Sequence, residues 1–440
     1  MRYRYRKDDE LKDSGVEWLG KIDKDCTRVR IGHICDIGRG RVISNEEILD
    51  NIGEYPVYSS QTKDNGVMGY INTFDFEGEY VTWTTDGANA GTVFKRSGKF
   101  NCTNVCGTLK NRKDNVNLSY LSYALSIETK PFVRLDINPK LMNNEMANIK
   151  VCIPNIGKQE KIANFLDEKT SQFDLIISKK EKLIERLEEA KKSLISEVVT
   201  GKVKVVKTND GYELVKRSNE EMKDSGVEWL GDIPKDWDVK RIKQISSVIS
   251  KGTTPSTVGK EIIDNGEIRF LKAENIFEGK ISLTPEFFID EETNNILKRS
   301  ELKEHDILFV IAGATIGKVA IVQKEHCPAN TNQAISFIRL YDDINYKFVY
   351  YWLNSSKLQE TMWLYAVQSA QPNLSMENLG NFYIAYPSED EIYILTDYIE
   401  DKGIEISNII NNIKKQIEKL KEAKQSLISE AVTGKIEILD

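Results

Sequence analysis

Two long stretches of the chain carry apolar residues at alternating spacings of three and four. Residues 158 to 199 contain no proline, and the same pattern returns 233 residues later. This spacing is typical of a coiled-coil seam, here about 40 residues or ~60 Å long at 1.5 Å per residue. Gly201 and Gly434 follow as typical helix stops. We predict two long helices that pack against each other antiparallel, through seams formed by Phe173, Ile176, Lys180, Leu183, Leu187, Ala190 and Leu194, and by Ile406, Ile409, Ile413, Gln416, Leu420, Ala423 and Leu427.

The stretch that precedes each of these predicted helices has a different, strand-like pattern. Tyr80–Thr85 and Gly91–Phe94 are rich in aromatic and β-branched residues, and Asp306–Ile311 and Gly317–Val322 resemble them. Each pair of runs is separated by a glycine-containing turn, which predicts a strand, a turn and a strand. We therefore expect mixed α/β domains with many short strands.

The chain is internally duplicated. Lys12–Gly20 returns unchanged at Lys223–Gly231, and Glu189–Lys202 returns nearly unchanged at Glu422–Lys435, while the interiors between them share almost nothing. The repeated segments thus form a common structural framework, and the interiors are the variable regions that it holds. We predict an opening segment at 1–20, a variable domain at 21–157, a helix at 158–200, a linker and second opening segment at 201–231, a variable domain at 232–388 and a helix from 389 to 440.

Composition narrows the class of protein. The 440 residues are 40% hydrophobic and 29% charged, which predicts a soluble globular protein of several domains. The sequence has neither a membrane-spanning apolar run nor a signal peptide, so we expect a cytoplasmic protein without a membrane partner. Six scattered cysteines predict no disulfide framework. The net charge of −7 points away from nucleic acid as a partner.

The sequence also lacks recognisable catalytic and cofactor motifs. Gly313–Val319 is one residue short of a phosphate-binding loop and ends without Ser or Thr. Cys102 and Cys106 lack partners at zinc-ligand spacing, and no adenine-methylase motif is present. We expect a protein without catalytic residues or a bound metal.

Loops near the predicted strands are crowded with amides, hydroxyls and scattered cations. Such side chains can read base edges, because Asn and Gln match adenine and Arg and Lys match guanine. They are equally typical of ordinary turns. The residues themselves leave both interpretations open.

The whole chain resembles the specificity subunit of a type I restriction-modification system. The resemblance rests on the repeated segments at Ser14–Gly20 and Ser225–Gly231, on Tyr55–Ser59, on Gly252–Pro255, and on paired helix ends at Ser193 and Ser426. It implies two α/β target recognition domains, joined by the antiparallel coiled-coil pair, in an α+β fold with a pseudo-twofold internal repeat. One departure is Cys26, which stands where the second half has Trp237.

The resemblance implies function as well as fold. Each recognition domain is expected to read one half of a bipartite site on double-stranded DNA, without catalysis. The helices are expected to bind two methyltransferase subunits, and two restriction subunits can join. S-adenosylmethionine, ATP and Mg²⁺ are then expected in the partner subunits, and no cofactor in this chain.

The resemblance also turns certain loop residues into candidates for DNA contact. In the first domain they are Ser59, Ser60, Gln61, Thr62, Lys63, Asn65, Thr84, Thr85, Asp86, Gly87, Asn89, Lys140, Asn143 and Asn144. In the second domain they are Thr253, Thr254, Lys272, Asn275, Thr315, Asn332, Gln333, Gln371 and Asn373.

Two other functional classes remain open from the sequence. A self-sufficient DNA-modifying enzyme would need a cofactor site. A coiled-coil adaptor that binds only proteins would need the helices, but it gives no reason for two dissimilar domains with polar loops.

Overall fold

The structure is a computed structural model that describes residues 2–112, 114–135, 138–209, 211–366 and 372–439. Its elements up to the first long helix are β1 Arg2–Tyr5, β2 Leu11–Asp13, β3 Lys21–Asp23, β4 Thr27–Arg30, α1 Ile31–Ile34, β5 Cys35–Arg39, α2 Asn45–Asp50, β6 Ile52–Tyr58, β7 Val67–Ile71, β8 Phe76–Glu77, β9 Tyr80–Thr84, β10 Val93–Arg96, β11 Lys99–Cys102, β12 Cys106–Asn111, α3 Leu118–Glu128, α4 Asn143–Asn148, β13 Lys150–Ile153 and α5 Ile156–Val199.

The remaining elements repeat this general order. They are β14 Val203–Thr208, β15 Gly211–Lys216, β16 Met222–Asp224, β17 Asp232–Pro234, β18 Asp238–Arg241, α6 Ile242–Ile245, β19 Ser246–Lys251, β20 Ile268–Leu271, β21 Ile276–Phe277, β22 Lys280–Ile281, β23 Phe288–Ile289, α7 Glu291–Ile296, β24 Ile307–Val310, β25 Val319–Ile321, β26 Ala329–Thr331, β27 Ile335–Leu340, α8 Tyr346–Leu353, α9 Ser356–Ala366, α10 Met376–Asn381, β28 Tyr383–Tyr386, α11 Glu389–Val432 and β29 Ile436–Leu439.

The contacts divide the chain into two compact units. Unit 1 contains residues 1–181 and 414–440, and unit 2 contains residues 182–413. Each unit therefore takes part of α5 and part of α11. This mixed helix and strand content, present twice, confirms the predicted α+β fold with an internal repeat.

The central sheets of the two units have the same topology. In unit 1 the antiparallel order is β10-β9-β12-β5, and in unit 2 it is β25-β24-β27-β19. Each unit also has a second sheet with one parallel pair, β6 with β11 in unit 1 and β20 with β26 in unit 2. The strands predicted at Tyr80, Gly91, Asp306 and Gly317 are confirmed, with bounds that agree within two residues. The linker predicted from residue 201 contains an ordered hairpin, β14–β15, followed by β16.

Unit 1 has its main core between the central sheet and α3, α4 and α5. Asn117 caps α3, because its side chain accepts a hydrogen bond from the Tyr120 amide. The ring of Trp83 is buried, and its indole N–H donates to the Leu141 carbonyl at 2.8 Å. A Cβ on Gly107 would lie 2.2 Å from that ring, so only glycine fits there.

The two long helices run antiparallel where unit 1 contains both. Asp174 contacts Lys424 at 2.7 Å, and Lys180, further along α5, contacts Gln416, earlier in α11. The stops predicted at Gly201 and Gly434 are confirmed, since both glycines follow the last helical turns with φ of +72° and +71°. The second helix does not continue to residue 440 as predicted, because α11 ends at Val432 and Ile436–Leu439 forms β29, paired with β1.

The packed stripe on the helices differs from the predicted seam at alternate positions. Phe173, Lys180, Leu187, Leu194, Ile406, Ile413, Leu420 and Leu427 are buried or half-buried, as predicted. The inner positions between them belong to Ile177, Ile184, Lys191, Ile410, Ile417 and Lys424. The residues predicted at those layers are exposed, namely Ile176, Leu183, Ala190, Ile409, Gln416 and Ala423. Adjacent apolar residues such as Ile176 and Ile177 fit a three-four or a four-three spacing equally well, so the sequence left this choice undetermined.

A strand pair occurs in both units with one register. In unit 1, β1 pairs with β29 so that Tyr5 faces Ile436. In unit 2, β14 pairs with β15 so that Val203 faces Lys216. These are the same positions under the repeat offsets of 211 and 233.

Cysteine pairing departs from the sequence-based expectation. Cys26 and Cys152 are joined in a disulfide across 126 residues, while Cys35, Cys102, Cys106 and Cys327 are free. The antiparallel pairing of β4 with β13 brings the two cysteines together, which their sequence spacing could not indicate. Within the described part of the chain, no helix has the length and apolar character that a membrane span requires.

Candidate nucleic-acid interface

In unit 1, the loop from Ser59 to Gly66 joins β6 to β7 and is closed on itself. The Ser59 amide donates to the Gly66 carbonyl at 3.0 Å, and the Gln61 side chain donates to the Val67 carbonyl. Asn89, from the turn after β9, donates its side-chain N–H to the Ser60 carbonyl at 3.0 Å. Ser59, Ser60 and Gln61 are half-buried, while Thr62, Lys63 and Asn65 are exposed. The structure thus brings Asn89 and this loop together.

A buried arginine lies beneath this loop. Arg96 is 3% exposed, and its guanidinium lies 3.6 Å from the centroid of the Tyr58 ring. It donates to the Asn65 carbonyl at 2.7 Å and to the Thr82 hydroxyl at 3.2 Å. Burial lowers the pKa of Arg96 from its usual range. Because Asn65 has a φ of +54°, which favours glycine, the hydrogen bond helps to hold an unfavourable backbone conformation.

A second group of predicted residues follows β9. The Gly87 amide donates to the Pro139 carbonyl at 3.0 Å, and Lys140 lies 3.8 Å from the Asp86 carboxylate. Lys140 is half-buried, and the next predicted residues, Asn143 and Asn144, open α4. Asn143 is half-buried and Asn144 is exposed. The structure therefore places Asp86, Gly87 and Lys140 in one cluster.

Two predicted residues of this group are not on the surface. Thr84 is 1% exposed and Thr85 is fully buried. Both continue the pairing of the sheet, and the Thr85 amide donates to the Val105 carbonyl at 2.9 Å. Because they end a central strand, they are structural residues, and their assignment as DNA contacts is corrected here.

In unit 2, the loop after β19 meets the loop between β26 and β27. The Thr253 amide donates to the Thr331 carbonyl at 3.1 Å, and the Thr254 hydroxyl donates to the Gln333 side-chain carbonyl. The Asn332 side chain accepts from the Ala334 amide at 3.2 Å, so its carbonyl oxygen shapes the turn. Gln333 is exposed and Thr253, Thr254 and Asn332 are half-buried. These four residues form one polar cluster.

The remaining predicted residues of unit 2 behave differently from one another. Asn373 is exposed, and its backbone forms a bridge with Ala312, beside the turn that contains the half-buried Thr315. This bridge matches the Asp86–Lys140 bridge of unit 1. Gln371 lies outside the described residues.

Asn275 has a structural role. It is 2% exposed, and its side chain donates to the Ser282 and Pro285 carbonyls at 3.0 and 2.9 Å. Its assignment as a DNA contact is therefore corrected. The neighbouring Lys272 is half-buried, with its ammonium 3.3 Å from the centroid of the Phe287 ring.

The contact residues predicted from the sequence did not include the cations that flank a glycine next to these loops. In unit 1 they are Arg39 and Arg41 around Gly40, and in unit 2 the corresponding cation is Lys251, before Gly252. A Cβ on Gly40 would lie 2.2 Å from the Cys102 carbonyl oxygen, and one on Gly252 would lie 1.9 Å from that of Thr331. The glycine lets the cation-bearing strand pass directly against the loop before Asn104 or Asn332.

Arg39 and Arg41 have different surroundings. Arg39 is exposed, and its side chain donates to the Asn104 carbonyl at 2.5 Å. Arg41 is paired with Glu47 at 2.6 Å and with Asp75 at 2.9 Å. The sequence signal for these cations was a cation next to a glycine, which occurs in both halves. The two positions can be recognised as equivalent only once the shared sheet topology is known.

The described residues include no group of three or more His, Cys, Asp or Glu side chains that could hold a metal ion. The arrangement instead presents amides, hydroxyls and cations from several loops at one end of each central sheet. Such groups donate and accept hydrogen bonds and attract anions, as contact with bases and phosphates requires.

A family model described as "Type I restriction modification DNA specificity domain" matches residues 23–188 and 234–427. The chain belongs to this family. The two matches fall on the two halves of the internal repeat, which confirms the resemblance inferred from the sequence.

Two individual specificity subunits are similar to this chain, each over a different share of its length. The chain is 26% identical over 440 residues to the MjaVIII specificity subunit of Methanocaldococcus jannaschii, covering 95% of this chain and 94% of that protein. It is 40% identical over 166 residues to the MpnII specificity subunit of Mycoplasma pneumoniae, covering 38% of this chain and 50% of that protein. The chain thus spans only about half the length of this second relative.

A solved structure supports the fold. It is described as "Structural basis underlying complex assembly and conformational transition of the type I R-M system" and matches with a TM-score of 0.65 at 11% identity. The match covers 93% of this chain and 98% of that one. Because the two chains are only 11% identical, this match shows a shared fold alone.

Proposed function

We propose that this protein is the non-catalytic DNA-recognition subunit of a type I restriction-modification complex, and that each unit reads one half of a bipartite target on double-stranded DNA. The observation that carries the proposal is the shared sheet topology of the two units, with unrelated polar side chains in equivalent loops. A common scaffold with different contact residues suits two independent readers of different sequences.

Exposed and half-buried polar residues at the loop clusters supply the proposed contacts. Gln61 and Asn89 in unit 1 and Asn332 and Gln333 in unit 2 are candidates for base edges. Lys63, which is exposed, is a candidate for phosphate. The other surface candidates are Ser59, Ser60, Thr62, Asn65, Asp86, Gly87, Lys140, Asn143, Asn144, Thr253, Thr254, Lys272, Thr315 and Asn373.

The outer faces of the long helices are suited to bind methyltransferase subunits. Leu175, Leu183 and Ile404 are 56%, 46% and 62% exposed, although the same helices have a packed inner stripe. Exposed apolar side chains on a helix gain free energy when a partner covers them. Two methyltransferase subunits, one for each half, and up to two restriction subunits complete the proposed complex in the cytoplasm.

The proposed partner subunits also account for the negative net charge of this chain and for the cofactors that it is not expected to bind. A net charge of −7 opposes binding to phosphates, so we expect this chain alone to bind DNA weakly. The partners would contribute basic surface, together with S-adenosylmethionine, ATP and Mg²⁺.

An exchange of recognition domains tests the proposal. Residues 21–157 are replaced by the equivalent domain of a relative, the variant is produced with its methyltransferase, and methylated adenines are mapped on genomic DNA. We expect one half of the methylated motif to change and the other half to stay. The matched control replaces residues 232–388 and should change the opposite half. A change in both halves from a single exchange would contradict independent readers.

The same preparations distinguish the two rival classes. Methylation of DNA by the isolated chain would indicate a self-sufficient enzyme. Failure of the complete complex to prefer any DNA sequence would indicate an adaptor that binds only proteins.

A further inference from the structure

Unit 1 contains a cavity of about 180 Å³ at the start of α5. Its lining includes Cys26, Cys152 and Ile162. The charged residues that line it are the cations Arg6, Lys158 and Lys161 and the carboxylates Asp23 and Glu437. The cavity lies away from the loop clusters described above, so DNA recognition does not account for it.

In unit 2, an indole ring fills the equivalent position. Trp237 corresponds to Cys26 under the offset of 211, and it is fully buried. Its indole N–H donates to Glu391 at 2.8 Å, and the Arg217 guanidinium lies 5.9 Å from the centroid of its ring. The residues equivalent to Arg217 and Glu391 are Arg6 and Lys158, which both line the cavity.

A glycine supports the same correspondence. A Cβ on Gly201 would lie 3.2 Å from the Trp237 ring, and its equivalent, Gly434, lines the cavity of unit 1. The cavity is therefore the space of a missing indole, left by the smaller side chain of Cys26.

The size of the cavity suits an aromatic ring. An apolar protein cavity of roughly 150 Å³ is known to bind benzene. At about 180 Å³, this cavity can accept one ring or a small fused pair. Covering its apolar wall would remove carbon and sulfur atoms from water, which favours binding.

The charges at the rim indicate which polar group the ligand carries. Glu391, which accepts the indole N–H in unit 2, is replaced by Lys158, which can only donate. Lys158 is 36% exposed and lies 3.0 Å from Asp25 and 3.6 Å from Asp23. Arg6 lies 3.4 Å from Asp23 and 3.7 Å from Glu437. A half-exposed lysine can turn from Asp25 towards a bound anion at small cost. A ligand in the cavity of unit 1 must therefore carry a hydrogen-bond acceptor at the position where the Trp237 indole of unit 2 carries its N–H donor.

We propose that the cavity of unit 1 binds a small aromatic acid, with its ring against Cys26 and Ile162 and its carboxylate at Lys158. This site is independent of the proposed function, because none of its residues belongs to the loop clusters.

Binding of defined probes to the full-length protein tests this proposal. Indole-3-carboxylate and benzoate are titrated against the protein by calorimetry, with neutral indole as the comparison. We expect the acids to bind with a Kd of about 1 mM or tighter, and indole to bind more weakly. No binding of either acid would overturn the proposal.

Variants locate the site. Cys26→Trp fills the cavity and should weaken binding about ten- to hundredfold, as expected for loss of a buried ring. Ile162→Phe fills it while keeping the Cys26–Cys152 disulfide, so it replaces Cys26→Trp if that variant does not fold. Cys152→Ala removes the disulfide and should retain binding. Unchanged binding in a folded, cavity-filled variant would show that the ligand sits elsewhere and would refute the proposal.

Two further variants test the chemistry. Lys158→Glu restores the acceptor of unit 2 and should reverse the preference from indole-3-carboxylate to neutral indole. Trp237→Cys opens the equivalent space in unit 2, where Glu391 should favour neutral indole as an added ligand. If Lys158→Glu leaves the preference for acids unchanged, the role assigned to Lys158 is wrong.

Discussion

Lys180 donates a hydrogen bond to Gln416 at 2.6 Å, joining α5 to α11 within unit 1. These two residues were the polar members of the two predicted seams, and the repeat offset places them at different layers. They meet because the helices run antiparallel. Lys180 is half-buried on the packed stripe and Gln416 is exposed beside it, so this hydrogen bond lies at the edge of the helix contact.

The charge at this contact can be varied in place. Gln416→Glu should stabilise unit 1 by about 0.5 kcal/mol or less, because the exposed pair gains an ionic interaction. Gln416→Lys should destabilise by a similar amount. Urea unfolding measures both, and the same changes in a Lys180→Ala background serve as the control. An equal effect of Gln416→Glu with and without Lys180 would show that the two side chains do not interact.

Asp306 should be a strong determinant of stability in unit 2. Its carboxylate is fully buried and accepts hydrogen bonds from Arg339 at 2.6 and 2.8 Å. Asp306→Ala leaves the arginine without this partner and should cost ~3 kcal/mol, as expected when a buried pair is broken. The exposed pair Lys402–Glu405 provides the control, since Glu405→Ala should cost under about 0.5 kcal/mol. Similar losses in the two variants would contradict this distinction.

Gln61 and Asn332 should influence sequence preference in separate half-sites. Truncation of either to Ala should cost ~1 to 3 kcal/mol if it makes a bidentate contact with a base, and should relax one position of its own half-site. Competition binding of the methyltransferase complex to randomised targets measures this. Thr85→Val, at a buried position, is the control and should leave the motif unchanged. A uniform loss on all sequences would instead identify phosphate contacts.

Lys63 should act through charge alone. Lys63→Ala should weaken binding to all targets and reduce the slope of log K against log salt by about 0.9, as expected for one lost phosphate contact. A binding series from low to high salt measures the slope. An unchanged slope would remove Lys63 from the DNA interface.

Arg96 should position the Ser59–Gly66 loop without touching DNA. Arg96→Met leaves the Asn65 carbonyl without its donor, so we expect a loss of about 1 to 3 kcal/mol in stability. We also expect reduced discrimination at the first half-site only. The salt slope should stay constant, which separates this role from that of Lys63. A change confined to stability, with the motif intact, would make Arg96 a core residue and nothing more.

The long helices should set the distance between the half-sites. Seven residues inserted after Glu181 and seven after Ile413 preserve the three-four spacing and add ~10 Å to each helix. Because base pairs stack ~3.4 Å apart, the unread gap should grow by up to about three base pairs. Methylated motifs measure this gap, after assembly with the methyltransferase has been confirmed. An active complex with an unchanged gap would contradict a spacing role.

The sequence predicted the frame of the molecule better than its surfaces. Apolar spacing located the helices, and β-branched runs with glycine turns located the strand-turn-strand elements, since periodicity and turn residues act locally. It could not choose between Ile176 and Ile177, because both fit the helix period. The sequence also could not show that Asn275 is buried. An asparagine that donates to backbone carbonyls cannot be distinguished by sequence from an asparagine that contacts a base.

Long-range pairing was the other obstacle. The disulfide between Cys26 and Cys152 and the approach of Arg39 to Asn104 depend on strands that are far apart in sequence. The available signal for the cavity was Cys26 in place of Trp237, and its consequence required the packing around both residues.

The matched strand pairs β1–β29 and β14–β15 have a consequence for how the gene can be rearranged. Since one register serves whether the two strands are close in sequence or come from distant stretches, we expect the fold to tolerate an interruption in either pair. A gene rearrangement that moved the interruption from one pair to the other would encode the same neighbours in space. The order of the two recognition domains in the gene could then change while the protein kept its fold.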